Sequence, residues 1–153
     1  MAIEFESARP GADAALLAEF EGRLSLRIPA SCREFLERHN GGSLPSNFSD
    51  TIRGREIGVG VTELLGIKTG DEFDIEVRLR ELQGRIPEWF IPLFDAEGGN
   101  VVGVSVSETD EGGVYFWDHE QEGSGEPIVR LADTVDLFVE SLRAIDDWDD
   151  EDM

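Results

Sequence analysis

The second half of the chain constrains the fold most, because short apolar runs alternate there with even shorter turns. The apolar runs occupy residues 90–94, 102–106, 114–117 and 127–131. Segments rich in Gly, Asp, Asn and Glu separate several of them, as at 95–100 and 108–113. Strands joined by such short turns pair antiparallel, since a parallel pair needs a crossover of a dozen or more residues. This half therefore predicts an antiparallel meander, in which Pro92 indicates an edge strand or a bulge.

The first half has helical periodicity instead. Apolar residues recur three and four positions apart, which predicts helices over 13–24 and 30–39. Asp13 is placed to cap the first helix, and Ser31 and Glu34 have the spacing of a capping box in the second. The apolar faces consist of Leu16, Leu17, Phe20 and Leu24 in the first helix and Cys32, Phe35, Leu36 and His39 in the second.

The second predicted helix ends at Asn40-Gly41-Gly42, because Asn and Gly tolerate the left-handed C-cap conformation. A loop is expected over 43–56, a thin strand over 57–61 and a third helix over 71–84. A final helix follows Asp133 or Thr134. Helices, then a meander, then a helix predict a single α+β domain. We expect it to span residues 1–145, followed by a frayed acidic tail over 146–153.

Charge is distributed unevenly along the chain. The formal net charge is −21. Residues 1–85 carry eleven basic and fifteen acidic residues, a balance of −4, whereas residues 86–153 carry two basic and nineteen acidic residues, a balance of −17. A field of this sign repels nucleic acid and anionic membranes and attracts basic proteins. The alternative interpretation is that the acidity serves only solubility.

The single cysteine, Cys32, excludes an internal disulfide, and its helical position predicts a buried thiol. The N-terminal residues have neither the basic region nor the apolar run of a signal peptide. No apolar stretch approaches the ~18 residues that a membrane span needs. A cytoplasmic protein is therefore expected.

Residues 117–120, Trp-Asp-His-Glu, are the most tempting catalytic site. Asp118 and His119 have the side chains to bind a metal or transfer a proton. The sequence has no HExxH pattern, no Cys/His pairing and no GxSxG elbow to complete such a site. We therefore expect no metal, no cofactor and no catalytic residue, with Asp118 and His119 bonding backbone groups in a turn. A metal-dependent hydrolase that uses Asp118 and His119 is kept as an alternative.

An ordered set of motifs resembles the SUKH superfamily, in its SMI/KNR-type branch. The set consists of Ile28-Pro29, Phe35-Leu36, Asn40-Gly41-Gly42, Ile91-Pro92, Gly99-Asn100, the segment 114–120, and Phe138 with Leu142. Together these motifs cover residues 13–145. The resemblance implies an α+β fold with a curved, mostly antiparallel sheet flanked by helices. It also implies a non-catalytic protein-binding domain. Many bacterial members look like immunity proteins that block a nuclease or deaminase toxin, and fungal relatives are regulatory scaffolds.

The resemblance and the charge together predict a protein partner that is a basic toxin domain, bound by occlusion of its active site. A regulatory scaffold without a toxin is the alternative from the same class, and the oligomeric state stays open. The expected partner-binding residues are Trp117 as aromatic anchor, with Glu108, Asp110, Glu111, Asp118, Glu120 and Glu122 around it. The expected structural residues are Pro29, Phe35, Leu36, Asn40, Gly41, Gly42, Gly99, Asn100 and His119.

Overall fold

The computed structural model describes residues 10–43, 48–52, 57–121, 128–141 and 143–144. Within these ranges the chain forms four α-helices and nine β-strands. No helix in the described ranges is long and apolar enough to cross a lipid bilayer. Helices pack on a six-stranded antiparallel sheet that is not closed into a barrel, so the predicted α+β class is confirmed.

Helices α1 (Ala14–Leu24) and α4 (Val135–Ser141) begin where the sequence places them. The Asp13 side chain accepts a hydrogen bond from the N–H of Leu16 at 2.8 Å, which satisfies one of the unpaired donors of the first turn. Thr134 caps α4 in the same way, with its hydroxyl 3.2 Å from the N–H three residues on. Both N-cap predictions are confirmed, and the choice between the two candidate caps of α4 falls on Thr134.

Helix α2 (Ala30–Arg38) has the predicted extent but not the predicted cap. Pro29 occupies the N-cap position and no side chain accepts a hydrogen bond there. Ser31 therefore already lies inside the helix, and the capping box expected from Ser31 and Glu34 is wrong. Sequence spacing alone misplaces it, because that spacing recurs within a helix as well as at its start.

Helix α3 (Ile75–Glu81) is shorter than the predicted 71–84. Its N-cap is Asp74, whose carboxylate accepts a hydrogen bond from the N–H two residues on at 2.8 Å. The residues before it form a turn, in which Asp71 accepts from the N–H of Phe73 at 2.9 Å. A local side-chain bond of this kind gives the backbone an alternative to the helix, which explains the late start.

The main sheet has the strand order β1-β4-β5-β6-β7-β8, with every pair antiparallel. Its strands are β1 (Gly42–Ser43), β4 (Val61–Leu64), β5 (Phe90–Ala96), β6 (Asn100–Ser105), β7 (Val114–Trp117) and β8 (Ile128–Ala132). The meander predicted for the second half is therefore confirmed. The strand that contains Pro92 lies inside the sheet, so the edge alternative is wrong. A register shift between Pro92 and Phe94 confirms the bulge.

A second, three-stranded sheet has the order β3-β2-β9. Its strands are β2 (Phe48–Ile52), β3 (Ile57–Val59) and β9 (Arg143–Ala144). The loop expected over 43–56 is therefore wrong at β2. The strand expected over 57–61 is divided between β3 and β4, which belong to different sheets. Local sequence does not predict this division, because β3 pairs with β2 whereas β4 pairs with β5, and these two partners are far apart in the chain.

The two faces of the main sheet bury two separate apolar clusters. The larger cluster contains the inner faces of α1, α2 and α4, with Phe20, Phe35, Phe94 and Phe138 among its members. The smaller one lies on the opposite face and contains Leu82, Phe90, Val101 and Trp117. Burying each large side chain contributes about 1.5–3 kcal/mol. Gly103 fits the second cluster closely, because a Cβ at this position would lie 2.5 Å from the Phe90 ring.

Candidate functional site

The predicted partner-binding residues lie at two opposite ends of the β6–β7 hairpin. Glu108, Asp110 and Glu111 belong to the turn that joins the two strands, whereas Asp118 and Glu120 follow the far end of β7. Four residues of strand at about 3.3 Å each separate the two groups by roughly 13 Å. The chain segment therefore carries two acidic ends and not one continuous patch. Glu122 lies outside the described residues.

Trp117 does not fit the predicted role of an exposed anchor. Its side chain is 0% exposed and belongs to the smaller core cluster. The guanidinium of Arg85 lies over the indole ring, 5.2 Å from its centroid. The indole N–H has no hydrogen-bond partner among the described residues. Side chains alternate between the two faces of strand β7, and Trp117 lies on the face that packs in the smaller core cluster. We therefore remove Trp117 from the expected partner-binding residues.

Asp110 is occupied by contacts within the protein. Its carboxylate accepts a hydrogen bond from the hydroxyl of Tyr115 and lies 3.2 Å from Nη2 of Arg130. The other guanidinium nitrogen of Arg130 lies 2.7 Å from Asp133. These hydrogen bonds, first the one to Asp133 and then the one to Asp110, raise the pKa of Arg130. Asp110 therefore joins the hairpin turn to β8 and is not a free acidic contact.

Glu108, Glu111 and Glu120 remain as exposed members of the predicted set. None of the three forms an ion pair with a described residue. In contrast, the basic residues of the first half are engaged across elements, as in the 2.8 Å contact of Arg23 with Glu76. Exposed negative charge without a described ion-pair partner is therefore present at both ends of the hairpin.

Asp118 and His119 bond backbone groups at the far end of β7. The Asp118 carboxylate accepts a hydrogen bond from the N–H of Glu120 at 3.0 Å. Nε2 of His119 lies 2.5 Å from the carbonyl oxygen of Gly98, to which it donates when that nitrogen carries the proton. The side chain of Asn100 accepts a hydrogen bond from the His119 N–H at 3.0 Å. These bonds join the turn after β7 to the turn between β5 and β6.

Gly99 takes part in the same junction. Gly98 and Gly99 both have positive φ, of +78° and +85°. A Cβ on Gly99 would lie 3.3 Å from Nε2 of His119. Among the described residues, no three His, Cys, Asp or Glu side chains come together as a metal-binding group. The side chains of this turn thus contact neighbouring backbone groups of the protein. The expectation of no metal at Asp118 and His119 stays a prediction.

Asn40 makes a contact that the sequence does not indicate. Its side chain is buried, with Oδ1 accepting from the N–H of Ile67 at 2.6 Å and Nδ2 donating to the carbonyl of Ile67 at 3.0 Å. The sequence predicts that the segment Asn40-Gly41-Gly42 ends α2 in a left-handed conformation, but the C-cap residue itself is His39, which is extended. The positive φ begins at Gly41, where it is +87°. Asn40 therefore fastens the end of α2 to the chain that follows β4.

The remaining residues of the first motif lie in the core. Phe35 and Leu36 are buried in the larger cluster, and Pro29 borders a small apolar cavity beside Cys32. Cys32 is buried as predicted. Burial raises the pKa of its thiol to about 12, so almost none is thiolate at neutral pH and the group packs as a small apolar side chain.

An open groove between α1 and α3 is a surface feature that sequence reasoning missed. Leu24, Leu26, Leu79 and Ile91 form its apolar lining. Its lining is mixed in charge and includes Glu76, Arg80 and Glu88. No local signal predicts the groove, because its two walls are more than fifty residues apart in the chain.

The comparisons with known proteins agree with this architecture. The chain matches the sequence model of the SMI1 / KNR4 family (SUKH-1) over residues 11–141, which includes everything from α1 to α4. It is also similar to the SPbeta prophage-derived uncharacterized protein YokK of Bacillus subtilis (strain 168). The two are 23% identical over 141 residues, covering 82% of this chain and 72% of that protein. Since the family model covers far more than half of the sequence, the chain belongs to the SMI1 / KNR4 family (SUKH-1).

Proposed function

We propose that this protein is a non-catalytic immunity protein that binds a basic toxin domain of the nuclease or deaminase type and occludes its active site. Its family is one in which immunity and partner-binding domains are known. The observation that carries the proposal beyond the family is the charge balance of −17 over residues 86–153, against −4 over residues 1–85. A nuclease groove is basic because it binds phosphates, and an acidic surface complements it.

Described side chains support an electrostatic role for this half of the chain. Glu108, Glu111 and Glu120 are exposed and lack a described ion-pair partner, so their charge acts on molecules in solution. A field of one sign raises the rate of association with an oppositely charged protein by 10- to 1,000-fold at low salt.

The test is co-expression with the gene that neighbours this one. We expect its product to be toxic alone, to be harmless beside this protein and to co-purify with it. A partner that binds but is not toxic alone would favour the regulatory scaffold instead. Failure of every neighbouring product to bind would contradict the proposal.

Stopped-flow association at low and high salt then tests the electrostatic part. The Debye length falls from about 30 Å at 0.01 M salt to about 10 Å at 0.1 M, so a steered association slows sharply over that range. Association that is independent of salt would mean that the acidity serves solubility alone.

A further inference from the structure

Strand β8 forms one edge of the main sheet. It is the last strand in the sheet order and pairs only with β7 among the described residues. The opposite edge is β1, whose two residues offer little to a partner. β8 has five residues and therefore presents about 16 Å of edge. An edge strand of this length is a template for pairing with another extended chain.

The register shows which backbone groups of β8 face outward. Ser105 donates to the Gly113 carbonyl at 2.8 Å, which fixes the alternation along β7. The backbone N–H and C=O groups of Tyr115 and Trp117, two and four residues after Gly113, therefore also face β6. Those of Phe116 face the other way, toward β8, where Val129 is the paired residue. The N–H and C=O groups of Ile128 and Arg130 consequently point away from the sheet.

The charges beside this edge are acidic. Arg130 is the one basic residue on β8, and Asp110 and Asp133 already hold its guanidinium. The Asp133 side chain is 73% exposed. The hairpin turn that carries Glu108 and Glu111 lies against it, since a Cβ on its Gly112 would be 3.9 Å from the Asp133 carbonyl oxygen. Natural edges are often protected by unpaired positive charge, which is missing from the described part of this edge.

We propose that the partner binds by adding an extended segment, rich in Lys or Arg, as a seventh strand along β8. Backbone hydrogen bonds to Ile128 and Arg130 would supply affinity, and the acids at the end of β8 would select basic side chains. This inference rests on the proposed function and adds to it the surface and the mode of binding. It predicts that the acids of the hairpin turn contribute more to binding than those at the far end of β7.

Amide hydrogen exchange tests the proposal with controls inside the same strand. The probe is the protein product of the neighbouring gene, added to the full chain. In the free protein we expect fast exchange at Ile128 and Arg130 and slow exchange at Val129, which bonds to β7. In the complex the two outward amides should slow at least tenfold, with little change at Val129.

A matched pair of variants provides the second measurement. Arg130→Ala and Arg130→Pro both lose the guanidinium, but only the proline also loses the outward N–H. We expect the proline variant to bind about tenfold more weakly than the alanine variant, the usual effect of losing a hydrogen bond or two. The melting temperatures of the two variants are compared first, to check that both are folded. If the proline variant is unfolded, the hydrogen-exchange experiment on the wild-type protein alone tests the proposal.

The outcomes separate the two proposals. Binding without slower exchange at Ile128 and Arg130, or with new protection only along the groove between α1 and α3, overturns the edge-strand mode and leaves the proposed function standing. Absence of any binding by wild-type protein overturns the proposed function, and the edge-strand mode with it.

Discussion

The two halves of this molecule use their charged side chains differently. In the first half, arginines join separate elements, as Arg23 of α1 contacts Glu76 of α3 at 2.8 Å and Arg78 of α3 contacts Asp95 of β5 at 2.6 Å. In the second half, Arg130 is the only Lys or Arg on the described strands of the main sheet, and it holds the hairpin turn to β8.

The difference shows that the net charge of a segment does not tell whether its charged side chains form ion pairs within the protein. The arginines of the first half named above contribute geometry, because each is held against a carboxylate on another element. The exposed acids of the second half contribute a field, which fixes no contact inside the protein. Substitutions in the first half should therefore change stability, and substitutions of the exposed acids should change association.

The largest effect on stability is expected at Asn40. Asn40→Ala leaves the buried N–H and C=O of Ile67 without their partners, which should cost about 2–4 kcal/mol of the free energy of unfolding. Urea unfolding measures it, with the exposed Glu120→Ala as a control expected to stay within about 0.5 kcal/mol. A loss below 1 kcal/mol for Asn40→Ala would show that water replaces the side chain at this site.

A smaller loss is expected from Arg78→Met. The Arg78 and Asp95 side chains are 17% and 19% exposed and share two hydrogen bonds, of 3.0 and 2.6 Å. Burial lowers the pKa of Arg78, but the bonds from Asp95 and Glu81 outweigh it and raise the pKa overall. Removing the guanidinium should cost about 1–2 kcal/mol, less than for a fully buried pair. A double-mutant cycle with Asp95→Asn measures the coupling, and a value near zero would place this pair with the surface charges.

Reversal of the three exposed acids, Glu108→Lys, Glu111→Lys and Glu120→Lys, should hardly change stability. We expect each to stay within about 0.5 kcal/mol, because none has a described ion-pair partner. Association with the neighbouring gene product should slow about tenfold or more at low salt and much less at high salt. Asp110 is left out because its removal would release Arg130. If these variants lose stability and associate at an unchanged rate, the exposed acids act on stability and not on association, which contradicts our interpretation.

The smallest effect is expected at Glu63 of β4. Burial raises the pKa of this carboxyl, and neighbouring Asp95, Asp71 and Glu72 raise it further against the hydrogen bond from Ser43. A pKa raised on folding means that the ionised form opposes folding, so the cost is present at neutral pH and disappears as the pH falls below the unfolded pKa. Glu63→Gln should therefore stabilise the protein at pH 7, on the order of a few tenths of a kcal/mol.

The measurement is the difference in melting temperature between Glu63→Gln and wild type at several pH values. The difference should be positive at pH 7 and shrink as the pH falls through and below the unfolded pKa, because the wild-type carboxyl then becomes protonated in both states. A variant that is less stable than wild type at pH 7 would show that the hydrogen bonds of Ser43 outweigh burial.

Much of the fold could be predicted from the sequence, because helix and strand periods are local. The apolar face of α1 and the Asp13 cap lie within one segment, and the strand at Val114–Trp117 is bounded by its own turns. The family resemblance was also predictable, since it rests on motifs in order along the chain. The start of α3 was not, because a local turn at Asp71 competes with the helix.

The candidate site was less predictable than the fold. Sequence reasoning selected Trp117 because it is a large aromatic residue beside acids, yet alternation along β7 turns it into the core. It grouped Asp110 with free acids, although Tyr115 and Arg130 occupy its carboxylate. The predicted domain limits and acidic tail, and the role of Glu122, lie wholly or partly outside the described residues and stay predictions.

The sequence by itself determined the α+β class, the antiparallel meander and the excess of negative charge in the second half, since each depends only on neighbouring residues or on counting. Only the tertiary structure decided which acids are free, that Asn40 binds Ile67, and that β8 ends the sheet. The physical reason is that burial, ion pairing and edge position depend on contacts between residues far apart in the chain. Asn40 and Ile67 are separated by 27 positions, and Asp110 and Arg130 by 20, so no local pattern specifies either contact.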